Sequence, residues 1–275
     1  MVGAVLVTVL LGIALIAPHL TKDPIARDIE HGLTELGAPR GPSGDALLGT
    51  DHLGRDVWAR VVAGAASSLS IAGLATLLAL GIGLAVGLVA GYAGGWVDGL
   101  LMRLVDLVLS FPFLLLAILL AALLRERGLA SSTAPVVLTL GIVGWTTTAR
   151  VIRGKAMTIA RREHVIAARA LGASPWRIIT RHILPNLAGL VIVLTALGFA
   201  QMLLAESALS FLGLGPPPPA ASWGRMLYEG RAYYRTSPHL VLVPGIAILT
   251  AVVAFNLVGE GLRDALDPRA ASEAR

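Results

Sequence analysis

From Arg150 to Asn186 the chain carries eight basic side chains: Arg150, Arg153, Lys155, Arg161, Arg162, Arg169, Arg177 and Arg181. Only Glu163 opposes them, and long runs without any charge lie on either side. An apolar run too long for a soluble core belongs in lipid. A Lys/Arg-rich segment between two such runs stays on the cytoplasmic face. This alternation constrains the chain more than any other feature. Composition agrees: of 275 residues 56% are hydrophobic and only 14% charged, against about 25% charged in a water-soluble domain. Too few charges remain to coat a globular surface. The formal charge of +5 does not point to nucleic acid, because the basic residues sit beside apolar spans with no interleaved aromatics. With no cysteine in the sequence, disulfides and Cys-ligated zinc or iron–sulfur sites are excluded.

The hydropathy pattern predicts an all-α, polytopic chain with six transmembrane helices. The first, Val2 to Ala17, ends at Pro18 and His19 and lacks the basic n-region of a signal peptide. A polar, acidic loop follows, suited to the outer side. Val57, Trp58, Val61, Val62 and Ala65 then recur at helical spacing, which predicts a short interfacial helix with Trp58 at headgroup level. The second span is Leu69 to Ala90. Its Gly83 and Gly87, with Gly91 just beyond, fall four apart on one helix face and invite close approach of another helix. The third, Leu101 to Leu124, is interrupted by Phe111-Pro112, and a kink is expected near Ser110 because proline removes a backbone donor. Ala134 to Ala149, Leu187 to Leu214 and Leu240 to Gly259 complete the set. Runs of roughly 16–28 residues at ~1.5 Å each match a ~30 Å hydrocarbon layer allowing for tilt. With the basic loop inside, six spans put both termini in the cytoplasm. The chain divides into residues 1–68 (first span, outer loop, interfacial helix), a core 69–260 containing the cytoplasmic loop 150–186, and a charged tail 261–275.

The cytoplasmic loop is patterned. Its alanine-rich start, around Ala167 and Ala168, favours helix. Gly172 supplies a left-handed stop, Ser174 a cap for a second helix, and Pro175 its first position. Leu184-Pro185 is expected to end that helix. The product is a compact helix–turn–helix with one thin face, able to lodge in a groove of another protein. Charge balance alone explains the arginines but not this pattern.

Ala167-Ala168, Gly172 and Leu184-Pro185 resemble the coupling-loop signature of ABC importer permeases, Glu-Ala-Ala, three residues, Gly, nine residues, Ile, one residue, Leu-Pro. Ile166 stands where the family has glutamate, and His182 where it has isoleucine. Three further segments are similar to the dipeptide/oligopeptide/nickel permease group, in its C-type subunit. They are Leu48-Gly49-Thr50-Asp51 with Gly54-Arg55-Asp56, the run Ala205 to Gly215 with Ser222-Trp223-Gly224, and Gly261 to Pro268. The resemblance implies a MetI-like ABC permease fold in a bacterial inner membrane. It implies as partners a B-type second permease subunit, two ATP-binding subunits and an extracytoplasmic substrate-binding protein. ATP and Mg would sit on the ATPases, since no Gly-x-x-x-x-Gly-Lys-Ser/Thr run occurs in this chain. Its coupling loop would comprise Ile166, Ala167, Ala168, Gly172, Ser174, Pro175, Leu184 and Pro185. Cargo would be di- or oligopeptides, with nickel, glutathione or another small solute as alternatives.

Charged residues within the spans carry separate expectations. Arg103 and Asp106 lie one helical turn apart and are expected to form a structural ion pair. Glu206, the sole charge of the fifth span, reads either as part of a translocation path or gate, or as a buried structural hydrogen bond. Two other classes fit less well. An intramembrane enzyme needs a constellation, and Glu163-His164 does not continue to a second histidine at metal spacing. A secondary transporter is expected to show repeats and helices broken at ion sites.

Overall fold

The computed structural model describes residues 2–16, 21–129 and 132–266. Along them run α1 (Val2–Ile16), α2 (Ile29–Gly32), α3 (Val57–Ala93), α4 (Gly95–Leu109), α5 (Phe113–Leu124), α6 (Ala134–Ala160), α7 (Glu163–Ala170), α8 (Pro175–Ile178), α9 (Ala188–Phe211), α10 (Trp223–Gly230) and α11 (His239–Leu266). No strand occurs among the described residues; the loop before α3 is pinned by isolated bridges Leu33–Pro39 and Thr50–Asp56. Ala17, Pro18 and His19 at the expected end of the first span lie outside the described residues, as do Asp267 and Pro268 of the tail.

Four helical runs are long and apolar enough to cross a membrane: α3, α6, Pro175–Phe211 and α11. The bent pair α4–α5 counts as a fifth. The apolar α1 has 15 residues, and at ~1.5 Å per residue it reaches ~22 Å, short of a ~30 Å hydrocarbon layer. The six expected apolar segments are therefore present as helices; among the described residues four of them, or five with the bent pair, are long enough to span. The expected kink is a break of 88° between α4 and the helix beginning at Phe113. Pro112 has no N–H to give, and the Ser110 hydroxyl donates to the Leu107 carbonyl at 2.6 Å, closing α4 locally.

The interfacial helix expected at 57–65 is instead the start of α3. Asp56 caps it by accepting from the Ala59 N–H at 3.1 Å. No proline then interrupts the ladder until Gly94, whose φ is +63°. Val57, Val62 and Ala65 are buried in the core, while Trp58 stays on the surface. Farther along, the Gly83, Gly87 and Gly91 face meets α6. A Cβ there would lie 2.8 Å from the Trp145 carbonyl, 2.6 Å from that of Ala149 and 2.7 Å from that of Arg153, respectively. Only glycine permits backbones this close.

Two further boundaries differ from expectation. α6 does not stop at Ala149 but carries the first basic residues to Ala160. Pro185 does not end a helix. The chain passes from α8 through a π turn (Ile179–Ile183) and a 3-10 turn (Leu184–Leu187) into α9. Widening before the proline and tightening after it accommodates the missing donor and keeps the axis helical. The main core lies between α3, α6, α9, α10 and α11, with Phe199 stacked on Phe255 at 3.9 Å between centroids. A second cluster, around Ile152, Ile159, Val165, Ile178 and Ile183, packs the basic end. Outward-facing Leu74, Leu77, Ile246 and Leu249 are 56–62% exposed, an apolar belt that suits lipid.

Candidate functional site

At the basic end, α7, Gly172 and α8 form a compact knuckle. The Gly172 N–H donates to the Arg169 carbonyl at 3.0 Å, and that of Ala173 to Ala168 at 3.1 Å. This paired return is a Schellman stop, and Gly172 takes the left-handed conformation it needs, φ +81°. Ser174 then caps α8, its hydroxyl oxygen accepting from the Arg177 N–H at 3.4 Å, with Pro175 in the first turn. The knuckle has two faces. Val165, Ile178 and Ile183 are fully buried against α3 and α6. Ile166, Leu171 and Trp176 point out, 54%, 89% and 75% exposed, beside exposed Ala167 and half-buried Ala168. Leu184 is half-buried in the basic-end cluster and Pro185 exposed. The outer face is thus apolar and exposed on a rigid, charged support.

The Arg103–Asp106 pair does not form. Asp106 takes Arg150 of α6 at 2.7 Å. A helical side chain leans toward the N terminus, so the long Arg103 chain points away from Asp106. The Asp106–Arg150 pair is more than half exposed; surface pairs of this kind contribute about 0–1 kcal/mol. Arg153 pairs with Asp98 in the first turn of α4, where a carboxylate also complements the helix dipole.

Glu206 is fully buried. The Ser210 hydroxyl donates to it at 2.7 Å and that of Ser207 lies at 3.4 Å; the hydroxyls of Ser222 and Ser68 stand beside it. Ser68 already accepts from the Trp223 N–H at 3.1 Å, and Ser222 from the Arg225 N–H at 3.2 Å. Their hydroxyl protons are thus free to turn to the carboxylate. The cluster ties α3, α9 and α10 together. Gly224 lets α10 close on α9, since a Cβ there would stand 2.6 Å from the Ser207 carbonyl. Trp223 donates its indole N–H to the Val61 carbonyl at 2.9 Å.

Beside it lies a charge network that sequence reasoning missed. Asp51 accepts from Arg55 Nε at 2.7 Å and Arg60 Nη1 at 2.6 Å. Glu229 accepts from Arg55 at 3.0 Å, Arg60 at 2.9 Å and Arg225 at 3.0 Å. Burial pushes the Asp51 carboxyl up, but the Arg60 and Arg55 charges and the Leu53 and Arg55 N–H groups outweigh it and hold it below the usual value. Asp51, His52 and Glu229 have ligand atoms close enough for a metal. The arginines already hold both carboxylates there, so the cluster does not suit a cation. The Leu48–Asp56 motif signalled half of this network; nothing in the sequence signalled Glu229.

Between α4, α5, α6 and α9 lies a cavity of 480 Å³, lined at the α4–α5 break by Phe111 and Phe113. A second, of 130 Å³, reaches α3 and shares Gly144, Thr147, Gln201 and Met202 with the first. Among the described residues neither wall holds an ionisable side chain, and Glu206 lines neither.

The family described as "Binding-protein-dependent transport system inner membrane component" matches residues 83–272. A dipeptide transport system permease protein DppC of Alkalihalophilus pseudofirmus is 39% identical over 98% of this chain and 85% of its own length. A glutathione transport system permease protein GsiD of Escherichia coli is 38% identical over 98% and 86%, respectively. In structure, the chain is similar to an inward-facing form of the MetNI methionine ABC transporter. The TM-score is 0.61 at 18% identity, covering 75% of this chain and 96% of that one, a likeness of fold. The chain therefore belongs to the binding-protein-dependent transport system inner membrane component family, as a multi-pass permease subunit of an ABC importer.

Proposed function

We propose that this subunit forms half of a translocation path for di- or oligopeptides and takes its motion from a separate ATPase seated on the α7–Gly172–α8 knuckle. The knuckle lies at the basic end, which the charge rule assigns to the cytoplasm of an inner membrane. The α10 end then faces outward, toward a substrate-binding protein. A second permease subunit completes the path, and two ATP-binding subunits carry ATP and Mg. The observation that carries this reading is the division of the knuckle into a buried face fused to the basic-end core and an exposed face of Ile166, Leu171 and Trp176. A push on the outer face passes through Ile178 and Ile183 into the continuous run Pro175–Phe211, a rigid-body input of the kind that drives alternating states.

The relatives' names supply the cargo reading: one is a dipeptide permease and another a glutathione permease. Both cargoes are peptides in the chemical sense. Among the described residues, the cavity walls offer no histidine or carboxylate to a nickel ion. We read Glu206 as a structural hydrogen-bond centre rather than a gate, since it sits behind the cavity wall among serines.

The test is Gly172→Val in the reconstituted transporter, measuring uptake of labelled dialanine and glutathione alongside ATP hydrolysis. Uptake per ATP is expected to fall about tenfold or more while the complex still assembles. Full uptake per ATP would refute the coupling role. Uptake of neither peptide by the wild type would refute the cargo.

A further inference from the structure

The two cavities share one stretch of wall, called the neck below. Thr147 and Gln201 stand near the middles of α6 and α9, and both are exposed. They line both cavities, together with Gly144 and Met202. An exposed carboxamide at mid-span, set against hydrocarbon, leaves two donors and an acceptor without partners. Lipid cannot supply them. The Gln201 carboxamide therefore has to meet water, a polar solute or polar groups of the second permease subunit, and the mid-span cavities beside it favour water and solute. Closure of the neck comes from Met202. A Cβ on Gly144 would collide with the Met202 Cε, and Met202 Sδ would lie 3.4 Å from it. The thioether thus fills the space that Gly144 leaves open. Methionine is unbranched, with three rotatable bonds, and swings more easily than Leu or Ile.

We propose that Gly144, Thr147, Gln201 and Met202 form this subunit's solute constriction. The Gln201 carboxamide and Thr147 hydroxyl hydrogen-bond the amide groups of a passing peptide. Met202, resting on Gly144, is the movable stop. The chemistry matches the cargo. A carboxamide both donates and accepts, as a peptide group does, so it can replace the water stripped from the cargo backbone. With no ionisable side chain in either wall among the described residues, neither terminus of a zwitterionic peptide is trapped on its way through. The proposal rests on the importer reading above and adds to it the place and chemistry of cargo contact.

The test uses the complete transporter in proteoliposomes, and the sequence contains no native cysteine to interfere in this chain. Gln201→Cys and Thr147→Cys are each exposed to a charged, membrane-impermeant methanethiosulfonate and to a lipid-soluble maleimide. The charged reagent is expected to modify both positions and to stop uptake of labelled dialanine. In a parallel arm, Met202→Ala is expected to raise the uptake of diphenylalanine relative to dialanine by about tenfold or more, the scale on which pocket contacts discriminate substrates. Gly144→Ala, which pushes Met202 into the neck, is expected to lower that ratio. Modification by the maleimide alone would place the residues against lipid and overturn the proposal. So would cross-linking of either cysteine to the partner permease with uptake preserved, or an unchanged peptide ratio in Met202→Ala. Failure here, with the knuckle still coupled to an ATPase, sinks the constriction and leaves the importer reading standing.

Discussion

Gly172 has nothing within 4 Å of the place a Cβ would occupy, yet its φ is +81°. A substitution there strains the backbone without causing a clash. A left-handed conformation costs an ordinary residue about 1–2 kcal/mol, and a β-branched one more. Asn tolerates it better, so Gly172→Asn is expected to keep most of the uptake per ATP that Gly172→Val loses. Paired transport and ATPase measurements check this. Asp51 is the opposite case, a residue held by charge. Its carboxyl is lowered in the folded protein, so its stabilising effect is full above the ordinary carboxylate range near pH 3.8. That effect is lost as pH falls through the lower folded value. Asp51→Asn removes it at neutral pH and leaves Arg60 buried with half its partners. The expected loss is about 3–5 kcal/mol, read as a lower detergent melting temperature that falls less on acidification than the wild type's, since Glu229 and Asp98 keep their arginine partners. The knuckle's residues are legible in the sequence because a Schellman stop, a serine cap and a proline act within six positions. Glu229 is not, because it meets Arg60 across 169 residues and no local pattern announces that. Asp106 departs from expectation for a related reason: helical spacing offers Arg103, while packing of α4 on α6 supplies Arg150.

At the scale of elements, the α3–α6 contact shows most clearly what small residues do. Gly87 stands so close to α6 that a Cβ would lie 2.8 Å from the Ile152 Cβ and 2.6 Å from the Ala149 carbonyl. Backbone cannot swing aside as a side chain can. Gly87→Leu is therefore expected to separate the helices and abolish a monodisperse complex, measured by size-exclusion chromatography in detergent. Leu at Gly81, which has nothing within 4 Å, is expected to be tolerated. The glycine spacing of four is legible in the sequence alone, because a helix repeats its face at that interval. Helix ends are harder. Helical spacing and the Asp56 cap announce a helix from Val57, but nothing local shows that it runs unbroken into the span from Leu69, because the buried partners of its first turns, such as Trp223, are distant in sequence. Pro185 looks like a terminator by its own chemistry. It is absorbed because the π turn before it and the 3-10 turn after it share the distortion.

At the scale of the molecule, the run Pro175–Phe211 has 37 residues, about 55 Å at ~1.5 Å each. It joins the knuckle at one end to the Glu206 serine cluster and α10 at the other, passing the Gln201 neck on the way. In the proposed mechanism, motion delivered at Leu171 and Trp176 reaches the cavity wall and the α10 bracket along this one helical run. The most direct measurement is a disulfide or short bifunctional cross-link from Leu171→Cys, in this otherwise cysteine-free chain, within the intact transporter in its native membrane. The account expects Leu171→Cys to join an ATP-binding subunit, with a yield that changes when vanadate traps the ATPases closed. Absence of any cross-link to an ATPase, or labelling of Leu171→Cys by an impermeant reagent added outside intact cells, would contradict it.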